Sequence, residues 1–347
     1  MADSIMGITE ALHKGSARPV SWQESMKKAI RDSHHLSLAL GLDADEVKWL
    51  TLPSFPVFVP LEYLSRIEKG NPSDPLLLQV APQYAENTNP IGFSEDPVGD
   101  SRFQAAPGLI HKYHGRVLLI TSGACGIHCR YCFRRHYPYQ TAPKSMQQWE
   151  TSLAYIENDS TISEVILSGG DPLTVVDSLL AELIQRIEQV PHVKRLRIHT
   201  RMPVVIPQRV TSELCEILEQ TRLAKWVVLH INHAREIDKQ VAEAVVRLRQ
   251  SGATLLNQAV LLRGVNDDGA ALVALCERLV DIHITPYYLN QLDTVTGAAH
   301  FNVPVERGIE LMQYLQERLP GYAVPRYVQD AANHDLDKAP KSKIPLL

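Results

Sequence analysis

The alternation of two patterns from residue 117 onward constrains the fold of this chain more than any other sequence feature. Short apolar runs predict buried strands, and apolar residues spaced three or four positions apart predict helices that pack on a sheet. Residues 235–250 show such a helical stripe, and Gly252 then favours the end of the helix. The predicted strands are residues 117–121, 164–168, 195–200, 226–231, 254–262, 283–288 and 323–328.

Strands that alternate with helices in this way form parallel sheets covered by helices. We therefore predict an α/β fold. An open, partial (β/α) barrel of about six units fits the pattern, and so does a doubly wound sheet, because periodicity alone does not separate the two. Prolines break residues 53–97 into short pieces, and Ser21 offers a helix cap before them. We predict a mostly helical extension over residues 1–105, the α/β domain over 106–322 and a C-terminal segment over 323–347.

Composition and charge limit the functions that this chain can have. The chain has 347 residues, 45% of them hydrophobic, which is ample for a large core. A net charge of −4 gives no electrostatic reason to bind nucleic acid or an anionic membrane, so we predict neither partner. No apolar run reaches the ~18 residues of a membrane span, and the N-terminus lacks a secretory pattern. We expect a cytoplasmic protein.

Three of the five cysteines form a C-x3-C-x2-C pattern directly after the first predicted strand. They are Cys125, Cys129 and Cys132. An ordinary [4Fe–4S] cluster takes four cysteine ligands, so three thiolates leave one iron open to a small molecule. The carboxyl end of a parallel strand is also where α/β folds place their chemistry.

The three cysteines could instead belong to a zinc site, which could recruit His128 or His136 as its fourth ligand. A disulfide is disfavoured, because three neighbouring cysteines cannot pair evenly and no secretory signal is visible. Cys215 and Cys276 fall in helical, apolar stretches and are most simply small core residues. The spacing alone therefore favours a cluster and leaves zinc open.

Polar and glycine residues follow several predicted strands. Gly169 and Gly170 end the second strand, and a glycine pair lets the backbone approach a ligand closely. Asp171, which precedes a proline, suits a turn into the next helix. Because the carboxyl ends of parallel strands share one face, polar residues at other strand ends should meet these. Those residues are His199, His230 and Gln258.

Residues 122–136 and 168–172 resemble the radical S-adenosylmethionine (SAM) enzymes. The resemblance implies that the three cysteines hold a [4Fe–4S] cluster whose open iron binds SAM. One electron then splits SAM into methionine and a 5′-deoxyadenosyl radical. It also implies that Tyr131 lies near the adenine. The remaining implied SAM-binding residues are Gly169, Gly170, Asp171, His230 and Gln258.

A larger part of the chain resembles the lysine 2,3-aminomutase family. The matching stretches are residues 107–116, 122–136, 168–172, 257–267, 286–301 and 321–325. Within that family the chain is most similar to the short bacterial EpmB branch. The resemblance implies a partial (β/α)6-type barrel and an isomerase that makes (R)-β-lysine for attachment to elongation factor P. It also implies pyridoxal 5′-phosphate (PLP), whose aldehyde offers an imine to the migrating nitrogen.

The resemblance also implies roles for single residues. Arg134 clamps the substrate carboxylate, a task suited to a two-pronged guanidinium. Asp293 and Asp330 hold the ε-ammonium of lysine, and this carboxylate pair disfavours glutamate as the substrate. The PLP phosphate is contacted by Lys112, Tyr113 and Arg116.

A lysine must hold PLP between turnovers. In the family it follows a Gly-Tyr-x-Val-Pro motif and stands in a Lys-Thr-Pro-like sequence. Lys338, in Lys338-Ala-Pro340, is the predicted match. Residues 331–337 lack the glycine-rich approach of the family, and Lys341 and Lys343 are alternatives.

We expect L-lysine as the substrate, an external electron donor, and a functional link to elongation factor P and its lysyl-transferase-like ligase. One alternative is the same chemistry on ornithine or glutamate. A second alternative is a non-catalytic iron–sulfur or zinc protein that binds a partner.

Overall fold

In the part of the chain that the structure describes, one ten-stranded sheet organises the fold, and its strand order follows the order of the chain. The computed structural model describes residues 20–43, 55–330 and 343–347. The strands are β1 (Gln104–Ala106), β2 (Leu109–Tyr113), β3 (Arg116–Ser122), β4 (Glu164–Gly169), β5 (Arg195–Thr200), β6 (Ala224–Leu229), β7 (Thr254–Val260), β8 (Thr285–Asn290), β9 (Arg326–Gln329) and β10 (Ile344–Pro345).

The strands from β3 to β9 run parallel, each paired with the next. This confirms the predicted α/β fold. The sequential order is that of a partial barrel, because a doubly wound sheet reverses its order at a switch point. The α-helices are α1 (Trp22–Lys28), α2 (Ser33–Leu40), α3 (Leu61–Leu64), α4 (Pro75–Leu78), α5 (Met146–Asn158), α6 (Asp177–Glu188), α7 (Met202–Val205), α8 (Ser212–Gln220), α9 (Lys239–Gln250), α10 (Gly269–Asp281) and α11 (Val305–Gln316).

The longer helices between the parallel strands each bury one apolar face. In α9 that face consists of Val241, Ala244, Val245 and Leu248, which confirms the predicted stripe. The N-terminus of α9 is capped by Asp238, whose carboxylate accepts from the amide of Val241. Burial of such a face, rather than helix propensity, supplies most of the stability of a helix in a protein.

Two predicted strands begin later than expected. The strand predicted at 283–288 starts at Thr285, because His283 has a φ of 63° and closes the turn after α10. The strand predicted at 323–328 starts at Arg326, since Gly321–Ala323 forms a short 3-10 helix.

The parallel strands are flanked by antiparallel ones. β1 and β2 form a hairpin that pairs through β2 with β3. At the other edge β10 pairs with β9, and the amide of Leu346 donates to the carbonyl of Tyr327 at 3.0 Å. The final residues of the chain are therefore part of the barrel wall.

The described N-terminal residues pack on the barrel. Trp22, Leu36 and Tyr63 are buried in the same apolar core as the strands. Arg66 donates to the backbone carbonyls of Val204 and Glu236. Ser21 caps α1 as predicted. Within the described residues, no helix is both long and apolar enough to cross a membrane.

Candidate active site

A cavity of about 400 Å³ opens at the carboxyl ends of the parallel strands. Its volume lies in the usual range for a small-molecule site. With Lys338 outside the described residues, every other predicted site residue lines this cavity. They are Cys125, Cys129, Cys132, Tyr131, Arg134, Gly169, Gly170, Asp171, His230, Gln258, Lys112, Tyr113, Arg116, Asp293 and Asp330. The parallel sheet thus brings together residues that are up to 218 positions apart in the chain.

The three cysteines stand on the loop that follows β3, and all three are free thiols. Burial, followed by the charge of Cys129, raises the pKa of Cys132 to about 11. Among the described residues, no three His, Cys, Asp or Glu side chains are grouped tightly enough to hold one metal ion. In a four-iron cluster each thiolate binds a different iron. Three free thiols on one cavity wall are a donor set that fits such a cluster.

The glycine pair after β4 lets two loops touch. Gly169 has a φ of 126°, and a Cβ there would lie 2.5 Å from the carbonyl oxygen of Ser122. A Cβ on Gly170 would lie 2.3 Å from the carbonyl oxygen of Ala124. No larger residue fits at either position. The pair therefore packs the loop after β4 directly on the cysteine loop.

Asp171 is buried and its carboxylate already accepts four hydrogen bonds. Oδ1 accepts from the Leu173 amide at 3.0 Å and from the Thr200 hydroxyl at 2.7 Å. Oδ2 accepts from the amides of Arg201 and Met202 at 2.7 and 3.1 Å. Burial raises the pKa of Asp171, and these donors oppose the rise. The carboxylate ties the end of β5 to the glycine loop, and a contact with SAM stays a prediction.

Tyr131 is held on several sides by hydrogen bonds. Its hydroxyl lies 2.7 Å from Nε2 of His230 and accepts from the amide of Asn232 at 2.7 Å. Its ring stacks on the imidazole of His230, with centroids 5.6 Å apart. Burial, and then the charge of Arg201, lowers the pKa of His230 to about 3. His230 is therefore a neutral, fixed imidazole at ordinary pH.

Arg201 connects the cysteine loop to the rest of the barrel, and the sequence patterns did not single it out. Its Nη1 donates to Sγ of Cys129 at 2.8 Å and to the Tyr131 hydroxyl at 2.9 Å. Its Nη2 donates to Glu236 at 2.8 Å and to Gln79 at 2.7 Å. A guanidinium with this many donors can join four partners in a fixed fork geometry. The cysteine end of the cavity is therefore built around a buried Arg201–Glu236 ion pair.

Arg134 is buried beside an acidic residue that the motifs also missed. Its Nε donates to Asp100 at 2.7 Å, and Nη1 lies 3.3 Å from the hydroxyl of Ser168. Burial alone would lower the pKa of Arg134, but the Asp100 carboxylate reverses this and raises it. Asp100 thus fixes the Arg134 guanidinium through Nε, while Nη1 contacts Ser168 in the cavity wall.

The two predicted ammonium-binding aspartates differ in their surroundings. Asp330 forms an ion pair with Lys112 at 2.5 Å and accepts from the Tyr113 hydroxyl at 3.5 Å. For Asp293, burial raises the pKa to about 6, with Lys343 opposing the rise and Asp330 adding to it. These charges influence each other across the cavity, as two carboxylates around one cation would.

The same end of the cavity has the chemistry that PLP requires. Lys112 and Arg116 supply positive charge, and the Arg116 guanidinium lies 4.5 Å from the ring centroid of Tyr113. Nε2 of His199 is buried without a hydrogen-bond partner, and burial lowers the pKa of His199 well below its usual value. The two cations fit the phosphate of PLP, and the unpaired imidazole nitrogen in the cavity wall fits its polar pyridine ring.

The comparisons with known proteins agree with this geometry. The profile of the Radical SAM superfamily matches residues 119–276. The chain is 45% identical to an L-lysine 2,3-aminomutase of Haemophilus influenzae over 90% of this chain and 93% of that one. It is 43% identical to the Escherichia coli enzyme, covering 89% and 91% of the two chains. It is 36% identical to the Clostridium subterminale enzyme, covering 89% and 75%.

Among solved structures, a radical SAM methyltransferase from Sphaerobacter thermophilus superposes with a TM-score of 0.44. That alignment covers 63% of this chain and 68% of the other, at 20% identity.

Proposed function

Because the chain belongs to the lysine 2,3-aminomutase family of radical SAM isomerases, we propose that it converts free L-lysine to (R)-β-lysine. The family implies a [4Fe–4S] cluster, SAM and PLP as cofactors. One cavity carries the proposal, because its lining includes the cysteine loop, Lys112 of β2 and the aspartates that follow β8 and β9. A radical reaction needs its two reacting groups at such close, fixed positions.

The bound cofactors supply a 5′-deoxyadenosyl radical and a carbonyl carbon for the migrating nitrogen. Cys125, Cys129 and Cys132 hold the cluster. The backbone of Gly169 and Gly170 and the fixed ring of Tyr131 shape the neighbouring SAM site. Asp171 acts through the loop it ties down, because both of its oxygens are already engaged. The other proposed SAM contacts are His230 and Gln258.

Substrate recognition rests on charges at the two ends of lysine. Arg134 binds the carboxylate, with Asp100 holding the guanidinium in position. Asp293 and Asp330 bind the ε-ammonium. Ionised carboxylates repel a second carboxylate, which argues against glutamate. The phosphate of PLP is held by Lys112, Tyr113 and Arg116.

These charge assignments require an exchange of partners. In the structure Lys112 contacts Asp330, yet the proposal gives Lys112 to a phosphate and Asp330 to the substrate ammonium. Phosphate binding would draw the Lys112 ammonium away and free Asp330 for the substrate. The order PLP first, lysine second follows from this pairing.

We further propose that the β-lysine product is used to modify elongation factor P. A separate lysyl-transferase-like ligase in the cytoplasm would attach it. The support is the likeness of the cysteine loop and of residues 195–199 and 297–301 to the short bacterial branch.

Anaerobic turnover tests the function. The protein is reconstituted with iron, sulfide and PLP, and then receives SAM, a reductant and isotopically labelled L-lysine. We expect about four irons per chain and labelled (R)-β-lysine by mass spectrometry after chiral derivatisation. Turnover of ornithine but not of lysine would overturn the assignment of lysine as the substrate. One zinc and no SAM cleavage would overturn the enzyme itself.

A further inference from the structure

Lys343 is held at the cavity wall by the last strand of the sheet. The next residue, Ile344, pairs with Gln329 of β9, and the Leu346 amide donates to the Tyr327 carbonyl at 3.0 Å. The backbone of Lys343 therefore lies beside the carboxyl end of β9, where the parallel strands present their polar residues.

The side chain of Lys343 faces the acidic and aromatic end of the cavity. Its Nζ donates to Oδ1 of Asn290 and lies 5.6 Å from the ring centroid of Tyr288. Its charge opposes the rise that burial causes in the pKa of Asp293. Lys343 thus lines the same cavity as Asp293 and the stacked rings of Tyr287 and Tyr288.

Among the described residues, two lysines line the cavity, and they differ in their partners. Nζ of Lys112 donates to the Val98 carbonyl at 2.9 Å and pairs with the Asp330 carboxylate at 2.5 Å. Lys112 would have to leave both of these partners before its nitrogen could attack a carbonyl carbon. The hydrogen-bond acceptor of Lys343 is the neutral amide oxygen of Asn290. Of these two lysines, Lys343 is the one whose side-chain hydrogen bond, within the described residues, goes to a neutral group rather than to a carboxylate.

The Lys-x-Pro spacing that pointed to Lys338 occurs twice in the tail. It is present in Lys338-Ala-Pro340 and again in Lys343-Ile-Pro345. The motif alone therefore does not choose between the two lysines. Lys343 lies on the wall of the cavity, which supports it, whereas Lys338 falls outside the described residues.

We propose that Lys343, rather than Lys338 or Lys341, forms the Schiff base with PLP. The assignment rests on the proposed function, which is the source of the PLP requirement. The Nζ amine adds to the aldehyde carbon, a C=N bond forms, and the aldehyde oxygen leaves as water with two protons. No electrons are transferred, and no further reactant is needed.

Borohydride trapping tests the assignment without turnover. The full chain is loaded with PLP, and sodium borohydride delivers hydride to the C=N bond and makes the link permanent. Cleavage before aspartate releases residues 337–347, a peptide that contains all three lysines. Fragmentation in the mass spectrometer then shows which lysine carries the pyridoxyl group. We expect Lys343.

The outcomes separate this inference from the proposed function. A pyridoxyl group on Lys338 or Lys341 would overturn the choice of Lys343 and leave the PLP requirement intact. Absence of any trapped group, together with loss of PLP on dialysis, would overturn both.

Matched variants give a second readout. Lys343→Arg keeps a cation and a donor for Asn290 but cannot form the C=N bond. We expect it to lose the Schiff-base absorbance and the trapped group, while Lys338→Arg and Lys341→Arg keep both. Trapping in Lys343→Arg at the level of the unaltered protein would overturn the proposal. Circular dichroism before PLP addition checks that the three variants are equally folded.

Discussion

The two ends of the cavity are held in different ways. At the cysteine end, Arg201, Glu236, Tyr131 and their amide partners form one buried network within the protein. At the substrate end, where Asp293, Asp330 and Lys112 line the cavity, charged side chains form separate pairs such as Lys112 with Asp330. The charge of Lys112 is opposite to that of a phosphate, and the charge of Asp330 is opposite to that of the lysine ammonium. The comparison indicates that the radical-generating end is preorganised, whereas the substrate end exchanges internal partners for ligands.

This difference has a physical reason. A misplaced radical reacts with whatever is nearest, so the groups around it gain from rigid positions. A buried ion pair that no ligand replaces must be fully hydrogen-bonded, because an unpaired buried charge is costly. The substrate and PLP are charged and replace the internal partners of the side chains that bind them. Until they bind, pairing these side chains with each other keeps their charges compensated.

The largest expected effect is at the cysteine end. Cys132→Ser removes one of three cluster ligands, so activity and SAM cleavage should fall to background. Iron content should drop below the roughly four atoms per chain of a full cluster. Cys215→Ser is the matched control, since Cys215 lies on α8 away from the cavity lining. Retention of a full cluster and turnover in Cys132→Ser would contradict the ligand assignment.

The second effect tests the buried network. Arg201→Gln removes the cation paired with the buried Glu236 carboxylate, so the free energy of unfolding should fall by about 3–5 kcal/mol. Urea unfolding of the cluster-free protein measures it. Arg186→Gln, which breaks exposed pairs with Glu150 and Glu157, should cost at most about 1 kcal/mol. Equal losses of unfolding free energy in Arg201→Gln and Arg186→Gln would contradict a preorganised network at the cysteine end.

The third effect concerns the substrate carboxylate. Arg134→Lys keeps a positive charge and loses the fork, so KM for lysine should rise about 10- to 100-fold, the equivalent of ~1.5–3 kcal/mol. Steady-state kinetics at saturating SAM gives the value. Arg318→Lys, in an exposed pair with Glu317, is the control. A change in kcat alone would argue against carboxylate binding by Arg134.

The smallest effect is a pH dependence at the substrate end. Burial raises the pKa of Asp293 to about 6, and only its ionised form attracts an ammonium. KM for lysine should therefore fall as the pH rises through about 6. Asp293→Asn should flatten this dependence and raise KM about tenfold at pH 7.5, the loss of ~1.4 kcal/mol. Asp159→Asn, on an exposed turn, should keep the wild-type profile. A pH inflection that survives in Asp293→Asn belongs to another group.

The seven parallel strands could be predicted from sequence because each carries a local apolar run, and helix stripes such as that of α9 are equally local. The cysteines, Arg134 and the glycine pair could be predicted from motifs. Asp100 and Glu236 could not, because their roles depend on partners far along the chain and no local spacing marks them. Arg201 directly follows a predicted strand, but its role also depends on distant partners. The tail shows the same limit, since two Lys-x-Pro sequences fit one motif equally well.

The central claim is that one cavity brings the cysteine end and the lysine-binding end within reach of each other. Transfer of a hydrogen atom from carbon 3 of lysine, the carbon to which the amino group moves, to the 5′-deoxyadenosyl radical tests it most directly. The reconstituted enzyme would receive lysine deuterated at carbon 3, and mass spectrometry would follow the label. We expect deuterium in 5′-deoxyadenosine and its return to carbon 2 of β-lysine. Unlabelled 5′-deoxyadenosine, formed while β-lysine accumulates, would contradict the account.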